Sequence, residues 1–270
     1  MRASITTDMF NYSFKPPMGH KLKLFAEHGF EYIHWCDDWN NTVFYTKREI
    51  EEYRQLIESA GLKCLDVHGT STKNVRIDSE EKALLDSYIR LLENRVKFCA
   101  EVGGNAVVVH PPGDKRDEEL RRSLNRSLEV FERVRGLCED LGVVIAVENG
   151  FPTDLDVLNF YFERYPPEFV GFCFDSGHAN LKGNFNDLRG FGERLRVLHL
   201  NDNRGEKDDH QPPFWGTVDW EGVMRWIRET GYAKPPNFEI THNPEHFKGG
   251  MEEYLRHTAK TVREALKLLK

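Results

Sequence analysis

A regular alternation of short apolar runs with longer, charged stretches extends through the chain and limits the folds that it can adopt. The runs contain β-branched and aromatic residues, which favour strands, whereas the stretches between them have the roughly 3.6-residue periodicity of surface helices. Eight strand signals alternating with helices in 270 residues predict an α/β protein, a (β/α)8 TIM barrel. The runs comprise residues 3–7, 31–35, 63–69, 105–111, 143–149, 170–176, 196–202 and 237–242.

A doubly wound open sheet is the alternative fold for such an alternation. It requires a glycine-rich, phosphate-binding turn after the first strand, and residues 4–14 contain no glycine. The barrel is therefore favoured, and because no linker or change of composition divides the chain, we expect residues 1–270 to form one domain. The clearest helical patterns lie at residues 47–61, 80–104, 118–142 and 251–268.

Composition narrows the ligand class and the cellular location. The net charge of −7 argues against a nucleic-acid partner, since proteins that bind a phosphate backbone usually have a basic face. The five cysteines form no C-x-x-C pair, which fits a reducing compartment. The N-terminal residues lack the apolar core of a signal peptide, and no run is long enough to span a membrane. We therefore expect a cytoplasmic protein.

Six of the eight predicted strands end in, or close to, a histidine or a carboxylate. In a TIM barrel the carboxyl ends of the strands carry the functional site, so these side chains would converge. Carboxylates buried together repel one another unless a cation is bound, and a mixed imidazole and carboxylate set suits zinc, manganese, iron or cobalt better than calcium. The sequence therefore predicts a metal site. The residues are His68, His110, Glu148, Asp175, His199 and Glu239, with His178 three positions after Asp175.

Short motifs at these strand ends resemble those of the xylose isomerase-like TIM barrel superfamily. In chain order they are VHG, VVHPPG, VEN, FDSGH, HLNDN with a following DDH, and then FEI, so the resemblance covers nearly the whole chain. The superfamily contains the sugar phosphate isomerase/epimerase group and the related apurinic endonucleases of the endonuclease IV type. The motifs in this order indicate the superfamily but not one reaction.

The epimerase branch of this superfamily implies one divalent metal, which is manganese, zinc, cobalt or magnesium. Carried over by position, its ligands are Glu148, Asp175, His199 and Glu239, and the two glutamates also form the acid/base pair. His178 matches a histidine that binds substrate. The implied reaction is proton abstraction α to the carbonyl of a sugar or sugar phosphate, through an enediolate. Dehydratases of the same barrel family use similar ligands and stay an alternative.

The endonuclease branch implies the same four ligands and up to three zinc ions. One additional ion would be bound by His68 and His110, and the other by His178, Asp208 and His210. All these positions are filled, so a trinuclear zinc phosphodiesterase also stays open. Three observations favour the sugar enzyme. The first strand lacks the His-Val-Ser start typical of the endonucleases, the net charge is acidic, and residues 199–215 lead into GTVDW (216–220) as in sugar isomerase-like members.

Further residues near the predicted barrel top are candidates for binding a small-molecule sugar substrate. We expect Trp35 and Trp215 to offer aromatic faces to a sugar ring, and Arg204 to contact a hydroxyl or an anion. Asp219 is expected to cap the helix that begins near Trp220. The sequence leaves open whether the sugar is phosphorylated and whether the chain forms a homo-oligomer.

Overall fold

Eight parallel strands form a barrel in which spatial neighbours follow the order of the chain. In the computed structural model, which describes residues 1–270, β1 pairs with both β2 and β8, and each later strand pairs with the next as far as β7. A parallel bridge between Leu200 and Phe238 joins the remaining edges. The predicted TIM barrel is thus confirmed. The strands are β1 (Ser4–Thr6), β2 (Tyr32–Trp35), β3 (Lys63–His68), β4 (Ala106–Val109), β5 (Val144–Glu148), β6 (Val170–Asp175), β7 (Leu195–His199) and β8 (Asn237–Phe238).

The helices surround the barrel and agree with the predicted patterns to within three residues at each end. None of them is long and apolar enough to cross a membrane. After β6 the chain forms two short α-helices and a 3-10 helix (Arg189–Arg194) instead of one long helix. The α-helices are α1 (Met18–Glu27), α2 (Lys47–Ser59), α3 (Lys82–Glu101), α4 (Asp117–Leu141), α5 (Asp154–Phe162), α6 (Ser176–Lys182), α7 (Phe185–Leu188), α8 (Trp220–Glu229) and α9 (Met251–Lys267).

The apolar core has two layers, which follow from the alternation of side chains along a strand. A large layer lies between the strands and the helices, and a small one fills the barrel interior below the polar strand ends. Residues two apart on a strand share a face. Because Ala146 and Val197 face the barrel interior, Glu148 and His199 also point inward. The interior layer consists of Ala106, Val108, Ala146, Cys173 and Val197.

The segment between β7 and α8 folds around one buried carboxylate. Asp202 accepts hydrogen bonds from the backbone N–H of Val218 at 3.1 Å and from Trp220 Nε1 at 2.8 Å, so it organises the loop. Asp219 caps α8 as predicted, since its Oδ1 accepts from the N–H of Gly222 at 3.0 Å. Both aspartates therefore have structural partners.

Strand β8 is shorter than the predicted run of residues 237–242 because its continuation bonds to loops. The N–H of Thr241 donates to the His210 carbonyl, and the N–H of His242 donates to the carbonyl of Met9. These bonds bring the segment after β8 against the loops that follow β1 and β7. The three segments together form one side of the barrel mouth.

Candidate metal centre

Four buried side chains converge at the carboxyl ends of β5 to β8. Glu148, Asp175, His199 and Glu239 each offer a ligand atom, and these atoms all lie within 4.8 Å of one another. None of the four residues is more than 5% exposed. The structure thus brings together the four positions that the epimerase branch implies, and it does so at the end of the barrel where the strands of such folds place their chemistry.

The imidazole of His199 occupies the middle of this central group. Its Nδ1 lies 3.1 Å from Glu148 Oε1 and 3.1 Å from Glu239 Oε2. Asp175 is held by Asn201, whose Nδ2 donates to Asp175 Oδ2 at 2.8 Å. Its other oxygen accepts from the backbone N–H of His178 at 2.6 Å, as the N-cap of α6. The orientation of the Asp175 carboxylate is therefore fixed by the protein itself.

The charges of the central group are strongly unbalanced. Burial raises the pKa of Asp175 to about 6. Burial also acts upward on Glu148, but the His199 and His110 imidazoles outweigh it and hold the pKa of Glu148 well below its usual range. Burial lowers the pKa of an imidazole, yet Cys173 and the two glutamates raise that of His199 well above its ordinary value. Three carboxylates around one imidazole fit a divalent cation, and this oxygen-rich set with one nitrogen suits manganese, zinc, cobalt or magnesium.

A second group, His178, Asp208 and His210, lies beside the central one. Its ligand atoms also fall within 4.8 Å of one another. Asp208 Oδ2 is 3.1 Å from His178 Nε2, and Oδ1 is 3.3 Å from His210 Nε2. The Nδ1 atoms of the two rings donate to the backbone carbonyls of Asn149 and Glu239, at 2.9 and 3.0 Å. Both Nε2 atoms are consequently aimed at one place, as in histidines that bind metals.

His210 is held in an unusual backbone conformation. Its φ is +45°, in the left-handed region that residues with a side chain rarely adopt. The hydrogen bond from the Thr241 N–H to its carbonyl and the bond from its own ring to Glu239 fasten this conformation to the segment after β8. Strain of this kind persists where the surroundings over-determine the conformation, which is common at functional sites.

A third group forms around the other oxygen of Glu148. His110 Nε2 lies 3.1 Å and His68 Nε2 lies 3.6 Å from Glu148 Oε2. His68 Nδ1 donates to the Gly69 carbonyl at 2.7 Å, and His110 Nδ1 is 3.1 Å from Ser71 Oγ. All nine residues implied by the two branches therefore belong to one continuous polar cluster.

Seven of these nine residues line a cavity of about 500 Å³, whereas Asp175 and His199 are fully buried and do not line it. The ring of Trp39 covers one side, with its centroid 5.4 Å from that of His68 and 5.8 Å from that of His110. Sequence reasoning missed several lining residues, because they lie on loops whose paths it could not predict. These residues include Asp8, Tyr12, Trp39, Thr241, His242 and Asn243.

The structure corrects the assignment of Trp35 to substrate binding. Trp35 is 1% exposed and packs between β2 and the helices, against Tyr45, Tyr53 and Phe98. Its neighbour His34 faces the barrel interior, and alternation along the strand turns Trp35 outward. Trp39, four residues later, is the tryptophan that reaches the cavity.

The other two predicted substrate contacts lie beside the main cavity. Arg204 and Trp215 line a second cavity of about 510 Å³, which shares Asp209 with the first. Neither of them lines the first cavity. Their role depends on whether a ligand extends into this second space.

From the sequence, His34 is a candidate to contact a substrate hydroxyl, but the structure buries it below the central group, where it does not line the cavity. Its Nδ1 bonds to Asp66 Oδ1, and its Nε2 is 4.0 Å from Glu239 Oε1. Cys36 Sγ approaches the same glutamate oxygen at 3.7 Å. The alternation of β2 indicates an inward histidine at this position, so this feature could have been found from the sequence.

A barrel with its polar cluster at the carboxyl ends of the strands has the architecture of TIM-barrel enzymes. Residues 22–270 match the family model described as xylose isomerase-like TIM barrel, and the chain belongs to this family. An uncharacterized protein, y4fM, of Sinorhizobium fredii is 33% identical over 250 residues, covering 82% of this chain and 80% of that one. A probable endonuclease 4 of Mycoplasma pneumoniae is 25% identical over 222 residues, covering 74% and 76%.

Solved structures share the whole fold at low sequence identity. A D-tagatose 3-epimerase-like protein superposes with a TM-score of 0.78 at 19% identity, over 100% of this chain and 98% of the other. The IOLI protein with a bound zinc atom superposes with a TM-score of 0.77, also at 19% identity, over 100% and 99%. At this level of identity the comparison establishes the architecture.

Proposed function

We propose that the protein is a divalent-metal-dependent isomerase or epimerase of a sugar or sugar phosphate, with Glu148 and Glu239 as its acid/base pair. The observation that carries the proposal is the central group, in which three buried carboxylates and His199 face one point. These four residues would hold a divalent ion, which would supply Lewis-acid chemistry for the carbonyl of a keto sugar. The architecture shared with the sugar epimerase-like structure supports the same reading.

The two glutamates are arranged to exchange protons with one substrate carbon. They project from β5 and from the end of β8, and each places an oxygen 3.1 Å from His199 Nδ1, so both carboxylates border the same point at the barrel mouth. One removes the proton α to the carbonyl, and the other returns a proton from its own side. Return to the same carbon inverts that centre, whereas return to the neighbouring carbon moves the carbonyl.

The surrounding residues position the sugar and exclude water. Trp39 offers an aromatic surface over His68 and His110, and the Nε2 atom of His110 lies 3.1 Å from Glu148 Oε2. His178 and Asp208 lie at the rim and can bond to substrate hydroxyls. Such contacts hold the reacting carbon in place, which contributes as much to rate as the acid/base step itself.

The acid/base assignment is tested by exchange of solvent deuterium into a keto sugar. We expect the metal-loaded protein to incorporate deuterium α to the carbonyl, and the substitutions Glu148→Gln and Glu239→Gln to reduce this rate by about 100-fold or more. Glu229→Gln, on the exposed face of α8, is the matched control. Metal content is measured for each variant, since glutamine must retain the ion for the comparison to hold. Exchange that persists in both variants would refute the assignment.

A trinuclear zinc phosphodiesterase is the second candidate, and the tied Nδ1 atoms of His68, His178 and His210 favour it. Each of these rings presents Nε2 as a ready metal ligand. The relative described as a probable endonuclease 4 supports the same alternative. Metal analysis separates the two candidates, because the sugar enzyme requires about one ion per chain and the nuclease three. Nicking of an abasic-site duplex without ketose exchange would decide for the nuclease.

A further inference from the structure

The second cavity continues the first one along the mouth of the barrel. Residues 208–210 and 241–244 line the first cavity, and residues 209, 211, 245 and 246 line the second. Asp209 is common to both. The same two segments, after β7 and after β8, therefore border one extended cleft with two compartments.

The second compartment combines one aromatic ring with planar polar side chains. Trp215 is held from behind by Phe247 and Tyr254, with ring centroids 6.1 Å from each. Gln211 Nε2 lies 3.2 Å from His246 Nδ1, so an amide and an imidazole border the same space. A sugar ring needs this combination, since its C–H face packs on an aromatic ring and its hydroxyls bond to groups near the ring plane.

The charges of the compartment disfavour a phosphate group. Two basic residues, Arg204 and Lys207, line it together with three acidic ones, Glu206, Asp209 and Glu245. Phosphate sites use arginine and lysine with few carboxylates nearby, because like charges repel the anion. The lining instead combines hydrogen-bond donors with acceptors, which suits an uncharged polyhydroxyl group.

We propose that the cleft binds a glycoside or disaccharide, with the keto sugar in the first compartment and a second sugar unit against Trp215. This inference rests on the proposed function and names its substrate class. The volumes of about 500 and 510 Å³ are each within the range of a small-molecule site. A single hexose in the first compartment does not reach the second one, whereas a second sugar unit linked to it extends into that space.

The test compares D-fructose with glucosyl-fructoses linked through O3, O4, O5 and O6, each with a free ketose. We expect at least one of the disaccharides to undergo solvent-deuterium exchange with about tenfold higher kcat/KM than D-fructose, through a lower KM. Trp215→Ala and Glu245→Ala should bring this ratio close to one. Glu245 is exposed, so its replacement disturbs no packing. Arg48→Ala, on the exposed face of α2, should keep the ratio.

The possible outcomes distinguish this inference from the function on which it rests. Exchange of D-fructose at least as efficient as that of every disaccharide would overturn the inference and leave the isomerase or epimerase proposal standing. A disaccharide preference that both variants retain would also overturn it. Lack of exchange with all five sugars by the metal-loaded protein, together with exchange into a ketose phosphate, would overturn the inference alone, whereas lack of exchange with ketose phosphates as well would contradict the proposed function itself.

Discussion

Gly177 is the position where a single methyl group should disturb the central group most directly. It lies in the first turn of α6, and a Cβ there would overlap with Asn201 Oδ1 and lie 2.9 Å from Asn203 Nδ2. Asn201 cannot move without weakening its 2.8 Å hydrogen bond to Asp175 Oδ2. The substitution Gly177→Ala therefore acts on a proposed metal ligand without removing any polar group.

The expected magnitude follows from the contacts that are lost. A hydrogen bond to a charged group contributes about 1.5–3 kcal/mol, and overpacking a full site costs about 1–3 kcal/mol. Loss of a partner that orients a ligand typically lowers metal affinity by about 10–100-fold. We therefore expect Gly177→Ala to lower both the affinity for zinc and the free energy of unfolding.

The assay is competition for zinc against a chelator of known affinity, together with chemical unfolding. Gly136→Ala in α4 is the matched control, because a Cβ there meets no atom within 4 Å. It should leave zinc affinity unchanged and stabilise the helix by about 0.5–1 kcal/mol. A double variant with Asn201→Ala should bind zinc no more weakly than Asn201→Ala alone, since both changes act through one hydrogen bond. Wild-type zinc affinity in Gly177→Ala would refute this account of Asp175.

Two more predictions concern protons and tryptophans. The pKa of His199 is raised well above its ordinary value and that of Asp175 is about 6, so zinc must displace a proton from His199 across pH 6 to 8 but from Asp175 only near and below pH 6. Zinc affinity should therefore increase about tenfold per pH unit between pH 7 and 8 and more steeply below pH 6, and a flat profile would show that His199 is not a ligand. Trp35→Ala should lower the free energy of unfolding by about 3–5 kcal/mol, as measured by urea unfolding, because its side chain is buried in the outer core. Trp39→Ala should cost little stability but raise the KM for a keto sugar, and the reverse pattern would show that the roles of the two tryptophans are interchanged.

The sequence was informative wherever a residue's position follows from strand period. Three of the proposed ligands stand at the carboxyl ends of apolar strands, namely Glu148, Asp175 and His199. Their convergence could therefore be predicted before the loops were known. The same rule places His34 inward and Trp35 outward. The prediction for Trp35 was wrong because only every second residue at a strand end faces the cavity.

Residues on the loops could not be placed in this way. His210 reaches the site because its backbone adopts a left-handed conformation and because Asp202 pairs with Gln211 across the loop. His242 and Asp8 line the cavity because the segment after β8 bonds to the loop after β1. These contacts join residues far apart in the chain, and no local pattern predicts them.

The presence of nine suitable ligands does not make the three groups equivalent, because their charges differ. The central group has three carboxylates and one imidazole, so its carboxylates repel one another unless a cation is present. The group of His178, Asp208 and His210 has one carboxylate between two imidazoles, and the pKa of His178 rises to about 10 against the pull of burial because of Asp175 and Asp208. Protons on these two imidazoles therefore compensate the charge of the single carboxylate, whereas the one imidazole of the central group cannot compensate three carboxylates. A divalent ion is therefore needed most at the central group. The proposed one-metal sugar enzyme requires an ion only there, whereas a three-metal nuclease requires one at each of the three groups.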